Sequence, residues 1–135
     1  MSEQPKPQKK KDSKQKLGRW GESVAATHLE ANGYKIIGRN WRCVHGEIDL
    51  IAETQGWDGR LIAFVEVKTR RGRDQGTPEE AITSRKAKKL TLTAQRYLAD
   101  HNITDVDWQI DLVAVELDKS GKLLRCEHIE HIVWG

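Results

Sequence analysis

Apolar positions recur along the chain with two periods, and these divide it into helices and strands. Leu17, Trp20, Gly21, Val24, Ala25, His28 and Leu29 fall at 3.6-residue spacing. They predict an amphipathic helix over 17–32 with one buried stripe. Asn32-Gly33 ends it, because glycine takes the left-handed conformation that closes a helix without steric cost. A second helix is predicted over 77–100. Thr77-Pro78-Glu79-Glu80 supplies a capping hydroxyl, a first-turn proline and the glutamate of a capping box. Its buried positions are Ala87, Leu90, Ala94, Tyr97 and Leu98. Runs rich in β-branched and apolar residues predict strands over 34–39, 46–52, 61–68, 106–117 and 122–133. The order α-β-β-β-α-β-β predicts an α/β fold, with a mixed central sheet flanked by helices.

Within that order, the run 46–52 turning into 61–68 holds most of the chemistry. Gln55-Gly56-Trp57-Asp58-Gly59 reads as the turn of a hairpin. Side chains alternate along a strand, so Glu47, Asp49 and Ile51 share one face while Ile48, Leu50 and Ala52 share the other. Phe64, Glu66 and Lys68 point one way; Ala63, Val65 and Val67 point the other. A two-residue turn at Asp58-Gly59 sets Asp49 opposite Lys68, and a slip of two residues sets it opposite Glu66. Either register gathers Asp49, Glu66 and Lys68 on one face.

Charges in strands that read as buried on both sides need each other, a metal or a cleft. A cross-strand salt bridge is the simple solution. The spacing Asp-x16-Glu-x-Lys also meets the needs of metal-dependent phosphodiester hydrolysis. There two carboxylates hold a divalent cation, and a lysine two residues on steadies or deprotonates the attacking water. Oxygen donors favour hard cations, so the expected ion is Mg²⁺ or Mn²⁺.

Asp49 with Glu66-Val67-Lys68 resembles the signature of the PD-(D/E)xK, or restriction-endonuclease-like, nuclease superfamily. Around it, Gly18-Arg19-Trp20-Gly21-Glu22, Gly33-Tyr34, Asn40-Trp41-Arg42, Gly46-Glu47-Ile48-Asp49-Leu50-Ile51 and Phe64-Val65-Glu66-Val67-Lys68-Thr69-Arg70 follow one another in order. Together they resemble the uncharacterised bacterial YraN-like family, whose members look like Holliday-junction resolvases. The match runs from about Leu17 onward. The resemblance implies a restriction-endonuclease-like fold and a metal-dependent endonuclease acting on DNA, branched or damaged DNA included, in a homodimer that cuts once per strand. It adds the main-chain carbonyl of Val67 to Asp49 and Glu66 as a metal ligand, and Glu22 as a further acidic ligand or water contact. Glu47, which shares a face with Asp49, is a secondary candidate. One departure stands out: the family tends to have Arg-Phe-Asp where this chain has Gln109-Ile110-Asp111, and Asp111 reads as structural.

Charge changes the picture only once it is divided. The 135 residues carry a net +3. Residues 1–16 hold six lysines against Glu3 and Asp12 and read as a disordered basic tail; 17–135 read as one domain, close to neutral. Between Lys68 and Arg96, nine basic residues face three acids. Of these, Arg70, Arg71 and Arg73 sit in a glycine-containing loop, and Arg85, Lys86, Lys88 and Lys89 in the start of the second helix. They are the expected phosphate contacts, guanidinium gripping phosphate in a fork.

Other features narrow the function by exclusion. No run approaches the ~18 apolar residues of a membrane span, and a soluble cytoplasmic protein is expected. Cys43 and Cys126 are isolated, which speaks against a disulfide scaffold or zinc ribbon. His128 and His131, three apart in a predicted strand, should face opposite sides, and both read as ordinary histidines. Most of the five tryptophans are expected in the core. Two rival readings stand beside the nuclease: a nucleic-acid-binding module without turnover, and a structural partner protein whose basic face meets an acidic protein.

Overall fold

The computed structural model describes residues 6–133, with side chains from Asp12 onward. The helix α1 spans Lys6–Ala31 and is followed by β1 (Lys35–Cys43), β2 (Gly46–Gly56) and β3 (Gly59–Arg71). After a 3₁₀ turn at Glu79–Ala81 come α2 (Ser84–Asp100), β4 (Asp107–Leu117) and β5 (Leu123–Ile129). The strands form one sheet in the order β1-β2-β3-β4-β5. All neighbours run antiparallel except β3 and β4, which are parallel and enclose α2 in their crossover. This is the expected fold class: a five-stranded mixed sheet flanked by two helices, consistent with a restriction-endonuclease-like fold.

Each helix covers one face. Ala25, Ala26 and Leu29 of α1 pack on Leu50, Ala52, Ala63, Val65, Val67, Val113 and Val115. On the other side Leu90, Ala94, Tyr97 and Leu98 of α2 cover Ile48, Ile51, Ile62, Phe64 and Ile110. Burying each large aliphatic or aromatic side chain contributes roughly 1.5–3 kcal/mol, so the two clusters dominate the stability of the fold. Phe64 sits edge-on to both Tyr97 and Trp108.

Several expectations change at this point. The helix α1 begins at Lys6, so 6–16, expected as a disordered tail, is helical. Lysine and glutamine are good helix formers, and lengthening a helix already nucleated by its packed half avoids the nucleation cost. Residues 1–5 and Trp134 lie outside the described residues. The capping box forms at Thr77, whose amide and hydroxyl both bond the Glu80 carboxylate, but it serves only the 3₁₀ turn. The helix proper starts seven residues later than predicted, capped by Thr83, whose hydroxyl accepts from the Lys86 amide at 3.1 Å. Ile82 and Thr83 between them are β-branched, and Ile82 is extended, which interrupts the helix. Two tryptophans leave the core: Trp20 is largely exposed on α1, and Trp57 is fully exposed at the hairpin tip.

The hairpin takes the second of the two registers. Gly56 pairs with Gly59, leaving Trp57-Asp58 as the two-residue turn, and Leu50 pairs with Val65. Continued by one step, that register sets Asp49 opposite Glu66. The β2–β3 ladder ends at Leu50↔Val65, while β3 stays paired with β4 as far as Arg71↔Leu117. Beyond this fork strict alternation across the hairpin lapses: Ile48 packs with Ile51 on the α2 side, not with Leu50.

Candidate active site

The fork between β2 and β3 is where the sequence-predicted acids meet. Past Val65, β3 has lost its backbone partner on the β2 side, and a side chain fills the gap. The Val67 amide donates to Oδ2 of Asp49 at 2.8 Å. Asp49 is part-buried, and burial first, then the negative charge of Glu66, pushes its carboxyl up to about 8. The protonated form of Asp49 is thereby favoured beside Glu66.

Glu66 is only 4% exposed, and its charge is met from α2: Nζ of Lys86 lies 3.2 Å from Oε2. Lys86 was expected among the phosphate contacts. The three-dimensional structure gives it to Glu66, because the displaced start of α2 brings its first turn over the β3 end of the fork.

Glu22 approaches from α1. The approach depends on Gly21, where a Cβ would lie 1.9 Å from Oγ1 of Thr69. Without a side chain there, the helix lies directly on β3, and the next residue reaches the fork. Burial pushes the Glu22 carboxyl up; a hydrogen bond from Asn40 opposes this, and Glu47 and Glu66 add to it. Asn40 holds this position with a left-handed backbone (φ 50°) inside β1. Asn40, expected only in the connection after the strand 34–39, is thus a residue of the site, and the one local signal of it is an asparagine, a side chain enriched in left-handed backbone. Glu47 is turned toward Arg42 in an ion pair.

Lys68 and Val67 line a polar cavity of about 470 Å³ together with Glu22, Arg70, Arg71 and Lys14. The fork thus has three carboxylates, two lysines and an arginine-lined cavity against it. All donors toward a metal would be oxygens, and the raised carboxyl of Asp49 marks where positive charge is favoured. The residues fit a hard divalent cation.

The comparisons with known proteins bear on residues on both sides of this fork. Residues 21–115 match the model of the uncharacterised protein family UPF0102. A UPF0102 protein of Roseiflexus castenholzii is 43% identical over 119 residues, covering 87% of this chain and 93% of that protein. One from Symbiobacterium thermophilum is 47% identical over 116 residues, covering 86% and 94%. The chain belongs to the UPF0102 family. This is the YraN-like family that its motifs resemble. A solved structure, Pyrococcus furiosus SfsA in complex with Ca²⁺, aligns over 87% of this chain and 64% of that one at 13% identity, with a TM-score of 0.32.

In this UPF0102 protein the remaining basic candidates divide. Arg73 is engaged bidentately by Glu116, at 2.9 and 3.1 Å. Glu116 also takes Arg125 at 2.6 Å, and Arg125 in turn binds Glu79. Arg73 is therefore a structural arginine that ties the loop after β3 to β4. Arg70 has a buried Nε with no hydrogen-bond partner, beside the cavity that it lines. Arg71, Arg85, Lys88 and Lys89 are exposed. Among the described residues no helix is long and apolar enough to cross a membrane.

A second group of potential ligands was not anticipated. Asp111, His128 and Glu130 bring one ligand atom each within 4.8 Å of one another, a grouping that could hold a metal ion. Asp111 was read as structural and the two histidines as ordinary. The signal missed was the two-residue offset of His128 and Glu130. His131 lies beyond the end of β5 with φ 55°, so it contributes its amide to Asp111 and not a face of the strand.

Proposed function

We propose that this protein is a divalent-metal-dependent nuclease acting on DNA, with its active site at the β2–β3 fork. The close pair Asp49–Glu66, with the Asp49 carboxyl raised by burial and by Glu66, carries the reading. Placing a part-buried carboxylate beside a buried one is unfavourable, by roughly 3 kcal/mol for two unit charges ~6 Å apart at an effective dielectric near 20. Such an arrangement is characteristic of a site that takes up a cation.

Asp49 and Glu66 would hold Mg²⁺ or Mn²⁺ together with the carbonyl of Val67, and Glu22 would bind it directly or through water. The ion supplies Lewis-acid polarisation of the scissile phosphate and lowers the pKa of the attacking water. The chain does the rest. The Val67 amide orients the Asp49 carboxylate. Lys86 holds Glu66 in place. Lys68, in the same cavity as Glu22, orients the water, and Arg70 and Arg71, which also line that cavity, bind the phosphate. Arg85, Lys88 and Lys89 extend the basic surface along α2. Cutting both strands of a duplex or junction calls for two such sites, hence a homodimer.

The test is a cleavage panel of linear, flapped and four-way-junction DNA, plus RNA, in Mg²⁺, Mn²⁺ or EDTA. Cleavage is expected with metal, lost in Glu66→Ala and Lys68→Ala. Binding without cleavage across the whole panel would favour a module that recognises nucleic acid without turnover.

A further inference from the structure

Away from the fork, on the α1 face of β4 and β5, lies the group Asp111, His128 and Glu130. Its geometry follows from the register. Leu112 pairs with Ile129, which sets Glu130 level with Asp111 on the neighbouring strand, with His128 two residues earlier on the same face. Asp111 is completely buried. Nε2 of His128 lies 2.7 Å from its Oδ2.

The surroundings hold these groups in place. Gln109 donates to Oδ2 of Asp111 at 3.1 Å, and the His131 amide donates to Oδ1 at 3.1 Å. The Tyr34 hydroxyl donates to Oε1 of Glu130 at 3.3 Å. Partners of this kind orient metal ligands and tune their basicity.

Charge balance provides an independent observation. A cavity of about 650 Å³ opens over His128 and Glu130, bounded also by His28, Tyr34, Cys126 and Glu127, and no lysine or arginine lines it. The cavity thus presents the carboxylates of Glu127 and Glu130 and the imidazoles of His28 and His128, with no fixed positive charge among its lining residues.

We propose that Asp111, His128 and Glu130 form a second metal site, for a first-row transition dication of the Zn²⁺ class. One imidazole nitrogen and two carboxylate oxygens make a donor set that Zn²⁺ accepts in four-coordination, the fourth position facing the cavity. Imidazole selects against Mg²⁺, so this site and the fork take different ions. The cavity shares no lining residue with the one beside the fork. The ion would join β4 to the end of β5 and, through Tyr34, to the C-terminal end of α1.

The test is titration of the full chain with Zn²⁺ by calorimetry, in an Asp49→Ala/Glu66→Ala background that removes the fork as a competitor. Co²⁺ is the spectroscopic probe. One Zn²⁺ per chain is expected, unaffected by millimolar Mg²⁺, with Co²⁺ giving the visible absorption of a four-coordinate site. Glu130→Gln, on an exposed residue, and His128→Gln should each weaken Zn²⁺ by more than about tenfold and bleach the Co²⁺ band. Circular dichroism checks that each variant is folded, and Glu130→Gln alone decides the matter if His128→Gln is not. Absence of Zn²⁺ binding in the background protein overturns the proposal. So does Zn²⁺ bound equally well by Glu130→Gln, which would move the ion to other histidines or cysteines.

Discussion

Asp49 and Val67 are joined where the hairpin opens: the Val67 amide donates to the Asp49 carboxylate at 2.8 Å, replacing a backbone bond that the ladder no longer supplies. One oxygen of Asp49 is thereby fixed beside Glu66. The fork ties strand architecture to electrostatics, and the pH dependence of the protein follows from it.

The Asp49 carboxyl is raised from its ordinary 3.8 to about 8. A raised pKa contributes stability that is complete below the unfolded value and lost as pH rises through the folded one. Thermal melts in EDTA should therefore show this contribution lost, and the melting temperature falling, from about pH 4 to about pH 8 and levelling off above it. Asp49→Asn should flatten that fall and melt at or above the parent at pH 9. Millimolar Mn²⁺ should raise the parent's melting temperature, more so at pH 8 than at pH 6, and leave Asp49→Asn unmoved. A variant that melts well below the parent at all pH values would make Asp49 half of a structural ion pair and remove it from the metal site.

At the acid end, Glu116 governs. Arg73 first, then Arg125, hold its carboxyl below the ordinary range, and Arg125 does the same for Glu79. A lowered pKa gives stability that is present above the unfolded value and lost as pH falls through the folded one. Glu116→Gln should destabilise at pH 7 by about 1–3 kcal/mol, as expected for losing charge-assisted hydrogen bonds at a buried group. It should lose less further stability than the parent between pH 5 and 3. Chemical denaturation at both pH values checks this.

Gly21 sets how closely α1 lies on β3. Gly21→Ala places a methyl 1.9 Å from Oγ1 of Thr69. Overpacking of this kind costs about 1–3 kcal/mol, and here it should also withdraw Glu22 from the fork. Reduced stability and reduced cleavage are both expected. Thr69→Ala should restore part of each in the double variant, and no recovery there would argue against this contact as the cause.

Salt dependence separates free from engaged basic residues. Affinity for duplex DNA should fall linearly on a log–log plot, by about 0.9 per neutralised phosphate. Arg71→Ala and Lys89→Ala should each make the slope shallower by up to about 0.9. Arg73→Ala should leave it unchanged, because Glu116 already occupies that guanidinium. Fluorescence anisotropy at several salt concentrations tests all three, and a changed slope for Arg73→Ala would mean that it leaves Glu116 to bind DNA.

Local pattern determined much of this protein. Two apolar periods were enough for the order of helices and strands and for most of the core, from Ala25 and Leu29 to Leu90 and Tyr97, because burying one face requires a fixed spacing. Alternation also sufficed to bring Asp49 near Glu66, since both registers of the hairpin do so. Tertiary structure decided what spacing cannot express. Which turn residues close the hairpin depends on the packing of both faces, and that packing chose Trp57-Asp58. Whether a cation is free for phosphate depends on which carboxylate folding brings beside it: Lys86 meets Glu66, Arg73 meets Glu116. Asp111 and His128, 17 residues apart, lie on neighbouring strands, and only the pairing of β4 with β5 brings them within hydrogen-bonding distance.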